Sequence, residues 1–313
     1  MEKLNIVFMG TPEFSVPVLE GLIKNYNVMM VVTQPDKPVG RKGILTKSPI
    51  AMKAIENNIP VFQPEKIRKE YDPIVALKPD MIITCAYGQI IPKILLDLPK
   101  YGCINVHASL LPKLRGGAPI HHAIIDGYDK TGITIMYMDE LMDNGDIIAQ
   151  EEVIIKDEYT TEKLHDILSS MGAKLLLDTI PKIVEGKINR IKQNSDEVTF
   201  GYNIKKEDEI INFNKTSREV FNQIRGLNSW PVGYTLFDGK RLKIYEAKIG
   251  NNNGNYEVGT IINIYNDAIG VKTLDGEILL TVLKPEGKNK MSTRDFLNGF
   301  KDSKTLIGKK LGD

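Results

Sequence analysis

Five short runs constrain the fold more than anything else in the chain: LNIVFM (4–9), VMMVVT (28–33), MIITCA (81–86), INVH (104–107) and ITIMYM (133–138). Each is apolar at successive positions. Successive side chains of a strand point to opposite faces, so such runs demand cover on both sides. Helical segments alternate with them. One is predicted over roughly 15–25, with Ser15 as cap and Pro17 in the first turn; another opens at Ser48-Pro49 and runs to about Asn57. Strands alternating with helices, and apolar on both faces, predict an α/β fold with an open, mostly parallel, Rossmann-like sheet.

The strongest helical period follows. Leu164, Ile167, Leu168, Met171, Leu175, Leu176, Ile180, Ile183 and Val184 recur at 3.6-residue spacing. Thr160 or Thr161 caps the segment, Gly186 ends it and Pro181 bends its last turns. The pattern then changes. Residues 186–208 are polar and charged, and beyond a short amphipathic segment near 216–227 come short alternating strands. Asp238-Gly239 and Asp275-Gly276 read as their hairpin turns. This predicts a smaller β-barrel module, with boundaries at 1–189 for the α/β domain, 190–208 for a linker and 209–313 for the barrel.

Several function classes lose support. The formal net charge of +1 gives no global field toward nucleic acid, so any such contact rests on local patches. Cys85 and Cys103 lie in apolar strands and read as buried thiols, and no Cys/His spacing points to a metal. No apolar run approaches the ~20 residues that span a bilayer, and the N-terminal run is short for a secretion signal, which predicts a cytoplasmic protein. The first strand ends FMGTPEFS, neither a dinucleotide nor a triphosphate fingerprint.

Three elements carry candidate chemistry. Asn105 and His107 sit two apart on a strand, so both side chains face one way, at the end of a parallel strand where open α/β sheets bind ligands. After them come the SLLP turn and the pair Gly116-Gly117. In MDELMDNGDII (138–148), Asp139, Glu140, Asp143 and Asp146 crowd one loop. A carboxylate beside His107 would orient the ring, and periodicity leaves open which of the four does so. Finally, residues 34–49 form a long connection carrying Lys37, Arg41, Lys42 and Lys47 against Asp36 alone, the pattern of a basic arm for an anionic partner.

These stretches together resemble the methionyl-tRNA formyltransferase family over nearly the whole chain. The motifs are VFMGTPEFS, TQPDKPVGRKG, AYGQIIP, INVHASLLPKLRGGAPI, MDELMDNGDII, NSWPVGY and LKPEGKNKMSTRDFLNG. The resemblance implies an oligonucleotide-binding-type barrel after the catalytic domain. It implies formyl transfer from 10-formyltetrahydrofolate to the methionine amine of initiator Met-tRNA, with no metal, no membrane and no obligate protein partner. It assigns catalysis to Asn105, His107 and Asp143. Folate contact falls on Ser109, Leu110, Leu111 and Pro112 and on Gln89, Ile90 and Ile91; tRNA contact falls on Arg41 and Lys42. The rival readings keep the chemistry and change the acceptor, to a UDP-amino sugar or glycinamide ribonucleotide, or drop the chemistry for RNA binding alone.

Overall fold

The computed structural model describes residues 3–40, 43–252 and 254–312. The chain divides into two compact units. One comprises Met1–Pro119, Lys130–Ile154 and His165–Tyr202; the other comprises Ile120–Asp129, Ile155–Leu164 and Asn203–Asp313.

The first unit is built on a seven-stranded sheet. Its strands are β1 (Asn5–Gly10), β2 (Asn27–Val32), β5 (Val61–Phe62), β6 (Met81–Cys85), β7 (Cys103–His107), β8 (Lys130–Tyr137) and β9 (Ile147–Ile154). A separate hairpin, β3 (Lys37–Val39) with β4 (Ile44–Thr46), lies between β2 and β5 in sequence. The spatial order is β5-β2-β1-β6-β7-β8-β9. The first five strands in that order run parallel, and β8 and β9 are antiparallel to their neighbours. The mostly parallel sheet is therefore present, with two differences from the sequence reading. The ITIMYM strand is antiparallel, and β9 is an additional edge strand. Its pattern, IIAQEEVI, alternates because one face is exposed, and it contains none of the continuous apolar character that marks the buried strands.

Local sequence explains the helices. These are α1 (Val16–Asn25), α2 (Pro49–Glu56), α3 (Asp72–Leu77), α4 (Lys93–Leu96), α5 (Pro119–Ile125) and α6 (Thr161–Val184). Ser48 caps α2 as expected, accepting the Ala51 N–H at 3.0 Å, with Pro49 in the first turn. Ser15 does not cap α1. Its hydroxyl donates instead to the Cys85 carbonyl at 2.6 Å, tying the end of β6 to the start of the helix. Helix α6 approaches the sheet through Gly172, where a Cβ would meet Val106 Cγ1 at 2.9 Å. Val106 thus faces α6, and strand alternation turns Asn105 and His107 to the opposite face.

The second unit holds β10 (Tyr234–Phe237), β11 (Lys240–Ile249), β12 (Ile261–Ile264), β13 (Ile269–Lys272), β14 (Glu277–Pro285) and β15 (Met291–Ser292), all antiparallel, with α7 (Ser217–Gly226) and α8 (Thr293–Leu297). The path β10-β11-β14-β13-β12 leaves a seam between its end strands. The C-terminal tail spans it. Gly308 N–H donates to Ile261 O at 2.8 Å and Leu311 N–H to Gly259 O at 2.9 Å, while Gly312 N–H reaches Leu236 O at 2.9 Å on β10. Val220, Ile224 and Leu227 around α7 fill the interior with Ile244, Val271, Ile278 and Leu280. The Asp238-Gly239 turn has both residues at positive φ, +49° and +71°, as a tight hairpin requires. The other expected turn is longer, spanning Thr273–Gly276, where Thr273 N–H donates to Gly276 O at 3.0 Å.

Candidate functional site

Asn105 and His107 are 8 % and 6 % exposed, so their polar atoms must find partners inside the protein. Thr84 on β6 is the residue that pairs with Asn105 in the parallel ladder. Its hydroxyl donates to Asn105 Oδ1 at 2.8 Å, which leaves the amide NH2 as the end available to a ligand. His107 Nε2 lies 3.0 Å from the Leu114 carbonyl, an acceptor only, so Nε2 carries a proton. Nδ1 is then the ring nitrogen open to chemistry.

The structure sorts the four carboxylates of the 138–146 loop. Asp139 accepts the Leu141 N–H at 2.9 Å and the Asn144 amide at 2.7 Å. Glu140 points outward, 3.9 Å from Lys93. Asp146 pairs with Arg190 at 2.9 Å. Asp143 alone reaches His107, with Oδ1 3.7 Å from Nδ1, and its Oδ2 accepts the Gly116 N–H at 2.8 Å. The loop leaves and rejoins the sheet beside Cys103, where Met138 N–H donates to Cys103 O at 2.9 Å and Tyr137 N–H to Asp146 O at 2.9 Å. That is the opposite end of β7 from His107, so the loop doubles back over the face bearing Asn105 and His107. Asp143 adopts φ +50° within it, and Leu114 and Ala86 have φ +58° and +49°. A left-handed backbone costs a non-glycine residue about 1 kcal/mol or more, so surrounding bonds must hold it.

The remaining expected contacts are placed as follows. Ser109 is fully buried, and its hydroxyl donates to Lys113 O at 2.6 Å. Leu111 is buried; Thr134 accepts its N–H at 3.1 Å and Gln150 donates to its carbonyl at 2.9 Å, ahead of a cis bond to Pro112. Side chains of β8 and β9 thus satisfy the polar groups of Leu111, and Leu110 and Pro112, half-buried, are the side chains the turn presents. Gln89 is engaged with its own fold, accepting Ile67 N–H at 2.9 Å and donating toward Pro64 and Glu65 carbonyls. Ile91 belongs to the apolar core with Ile67, Tyr87 and Leu95, whereas Ile90 is 58 % exposed. Exposed Leu141 and Met142 add apolar surface next to Asp143. Arg41 and Lys42 lie outside the described residues. Their flanks, β3 and β4, form a hairpin within the long connection, and Asp36 at its base meets Gln63 at 2.7 Å and Lys47 at 3.5 Å.

Burial governs the other titratable groups nearby. It pushes the Cys85 thiol up to about 12 and raises the Cys103 thiol and the Tyr87 hydroxyl still further, so all three stay protonated and unreactive at neutral pH. Among the described residues no three His, Cys, Asp or Glu side chains gather as a metal site, and no helix is long and apolar enough to cross a membrane. A surface cleft of about 490 Å3 at Glu13, Glu20, Lys53, His165 and Asp166 contains none of the expected site residues.

Sequence reasoning missed the supports of the site. Thr84 was findable, as a polar residue at the end of an apolar strand in register with Asn105. Thr134, Gln150, Gln193 and Thr199 carry no such signal. Residues 190–202 are not a free connection: Arg115 N–H donates to Thr199 O at 2.9 Å, Leu114 N–H to Thr199 Oγ1 at 2.9 Å, and Ile147 N–H to Ile191 O at 2.8 Å.

Known proteins resemble this chain in sequence and in fold. Residues 4–180 match the formyl transferase family and residues 203–301 the formyl transferase C-terminal domain. A methionyl-tRNA formyltransferase of Bacillus cytotoxicus is 53 % identical, over 99 % of this chain and 99 % of that one. One of Bacillus thuringiensis subsp. konkukian is 52 % identical over the same shares. Among solved structures, the sugar 3N-formyl transferase WlaRD superposes with a TM-score of 0.65 at 21 % identity, covering 92 % of this chain and all of its own. An N-formyltransferase from Helicobacter canadensis, solved with folinic acid and dTDP-3-aminofucose, gives 0.65 at 24 % identity, covering 90 % of this chain and 99 % of that one. Those two show the fold; the full-length identity shows that this chain belongs to the methionyl-tRNA formyltransferase family.

Proposed function

We propose that the chain transfers the formyl group of 10-formyltetrahydrofolate to the α-amino group of methionine on initiator Met-tRNA. Family membership supports the reaction and both substrates. The observation that supports the residue roles is the convergence of Asp143 on His107 beside the Asn105 amide.

Attack of the amine on the formyl carbon creates a tetrahedral centre and a developing oxyanion. The Asn105 NH2, aimed by Thr84, and a proton on His107 Nδ1 are the donors for that oxygen. Preorganised donors of this kind supply about 2.7–4 kcal/mol each. The 3.7 Å between Nδ1 and Asp143 Oδ1 exceeds a direct hydrogen bond. A water at about 2.8 Å from both atoms fits off the line joining them and relays between them until the formyl oxygen takes the Nδ1 proton as its partner. Asp143 therefore serves as the acceptor for the proton the amine sheds and as the partner of the His107 ring; collapse of the tetrahedral centre breaks the bond from the formyl carbon to folate N10, which takes up that proton and leaves as tetrahydrofolate. Ile90, Leu141 and Met142 are exposed and Leu110 and Pro112 half-buried, which leaves their apolar side chains for contact with the folate ring system that brings the formyl group. Arg41 and Lys42 of the basic arm contact the tRNA.

The barrel, residues 209–313, is the surface for the tRNA body. Tyr234, Lys243 and Lys284 share one cross-strand row, Arg241 stacks over the Tyr234 ring at 4.1 Å, and Lys290 lies over Tyr245 at 4.6 Å. Trp230 is 70 % exposed nearby in sequence. Cations interleaved with aromatic rings suit phosphates and bases together. Lys309 and Lys310, by contrast, are paired with Asp238 and Glu257 at 2.9 and 3.1 Å.

An acceptor panel tests the proposal. With 10-formyltetrahydrofolate, initiator Met-tRNA should be formylated far faster than elongator Met-tRNA, glycinamide ribonucleotide or a UDP-amino sugar. Preferential formylation of either small acceptor would refute it.

A further inference from the structure

Gln193 occupies an unusual position in the first unit. Its Oε1 accepts two N–H groups of Arg115, from Nε at 3.1 Å and Nη2 at 2.8 Å. Its Nε2 donates to two backbone carbonyls of the carboxylate loop, Asp143 at 2.8 Å and Gly145 at 2.9 Å. Arg115 is 8 % exposed and its third nitrogen, Nη1, donates to Asn144 Oδ1 at 3.0 Å. Asn144 in turn holds Asp139 at 2.7 Å. One carboxamide thus joins the loop that carries Asp143 to the loop that carries the Leu114 carbonyl and the Gly116 amide, the two backbone groups on His107 and Asp143.

We propose that Gln193 is a positioning residue for formyl transfer, acting through Asp143; this rests on the reading of Asp143 as a catalytic group. Three facts support the role. Asp143 stands at φ +50°, a conformation rare for residues other than glycine, and the two bonds from Gln193 hold the carbonyl of Asp143 itself and that of Gly145 two residues on. With that kink in place the carboxylate Oδ1 lies 3.7 Å from His107 Nδ1. And the site requires an acceptor for two guanidinium hydrogens and a donor of two hydrogens within one side chain. Only a carboxamide provides both. Glutamate would keep Arg115 engaged and turn an acceptor oxygen toward two carbonyl oxygens. Methionine would keep the volume and lose every bond.

The test is steady-state kinetics of the full chain with 10-formyltetrahydrofolate and Met-tRNA, alongside thermal unfolding. Gln193→Glu and Gln193→Met should each lower kcat by about 10–100-fold, the scale of a small displacement of a working group, with both KM values little changed. In an Asp143→Asn background neither substitution should lower kcat further, because groups acting as a unit are non-additive. A purely structural residue would instead lower the unfolding temperature and leave kcat per folded molecule intact. That result overturns the proposal, as does an undiminished loss in the Asp143→Asn background. If Asp143→Asn alone keeps the full rate, the reading of Asp143 fails, and the proposal with it. Slow Asp143→Asn with fast Gln193 variants sinks the positioning role alone.

Discussion

At the scale of single residues, the proposed chemistry depends on three side chains whose placement has different origins. Asn105 and His107 share a face because strands alternate, and a reader of the sequence sees that directly. Asp143 is another matter. Four carboxylates lie within eight residues, and only the path of the loop, doubling back across the sheet, brings one of them to the ring. His107→Asn and Asp143→Asn should each cut kcat by about two orders of magnitude or more, with smaller effects on tRNA affinity. Single-turnover formylation with saturating substrates measures this, and a near-native rate for either variant would remove that residue from the mechanism. Ser109 illustrates the converse. It sits inside the motif, and its hydroxyl donates to Lys113 O at 2.6 Å, a bond across the turn that the strand period does not foretell.

At the scale of elements, caps and turns were legible where the signal is local. Ser48-Pro49 and Asp238-Gly239 do what their chemistry predicts. Ser15 stands at the cap position and does not cap, because the Cys85 carbonyl competes for its hydroxyl from 70 positions away. Helix α7 shows the same long reach. Thr216 accepts the Glu219 N–H in a local capping box, and Asp275, far along the chain, accepts Ser217 N–H at 2.7 Å and Ser217 Oγ–H at 3.0 Å. The Ser217 backbone hydrogen bond holds the Asp275 carboxyl below its ordinary pKa. A depressed folded-state pKa stabilises the fold above the unfolded value, about 3.9, and that contribution fades as pH falls through the folded pKa. Asp275→Ala should therefore lower stability at pH 7 by no more than about 1 kcal/mol, the carboxylate being solvent-screened. The gap to the native chain should shrink below about pH 4. Thermal unfolding at pH 7 and pH 3 checks both; a gap that grows in acid contradicts the assignment.

At the scale of the whole molecule, a formal net charge of +1 coexists with a polyanionic substrate, so tRNA binding must come from local cations. Affinity for Met-tRNA should fall steeply with salt, and Arg41→Ala should weaken it and reduce the magnitude of the log–log salt slope by about 1, while folate binding is unchanged. Filter binding across a salt series measures this; equal losses for both ligands would argue against an arm that serves the tRNA. The sequence by itself determined the classes of element, the buried strands and the pairing of Asn105 with His107, because these follow from periods of 2 and 3.6 residues and from neighbouring side chains. It also identified the family, through motifs spread over the chain. The resemblance named Asp143 among the four carboxylates, but only the tertiary structure decided that it is the one that meets His107, that β8 runs antiparallel, that residues 190–202 brace the site, and that residues 308–312 close the barrel seam. Those depend on contacts between segments tens to hundreds of positions apart, and no local periodicity encodes a contact of that range.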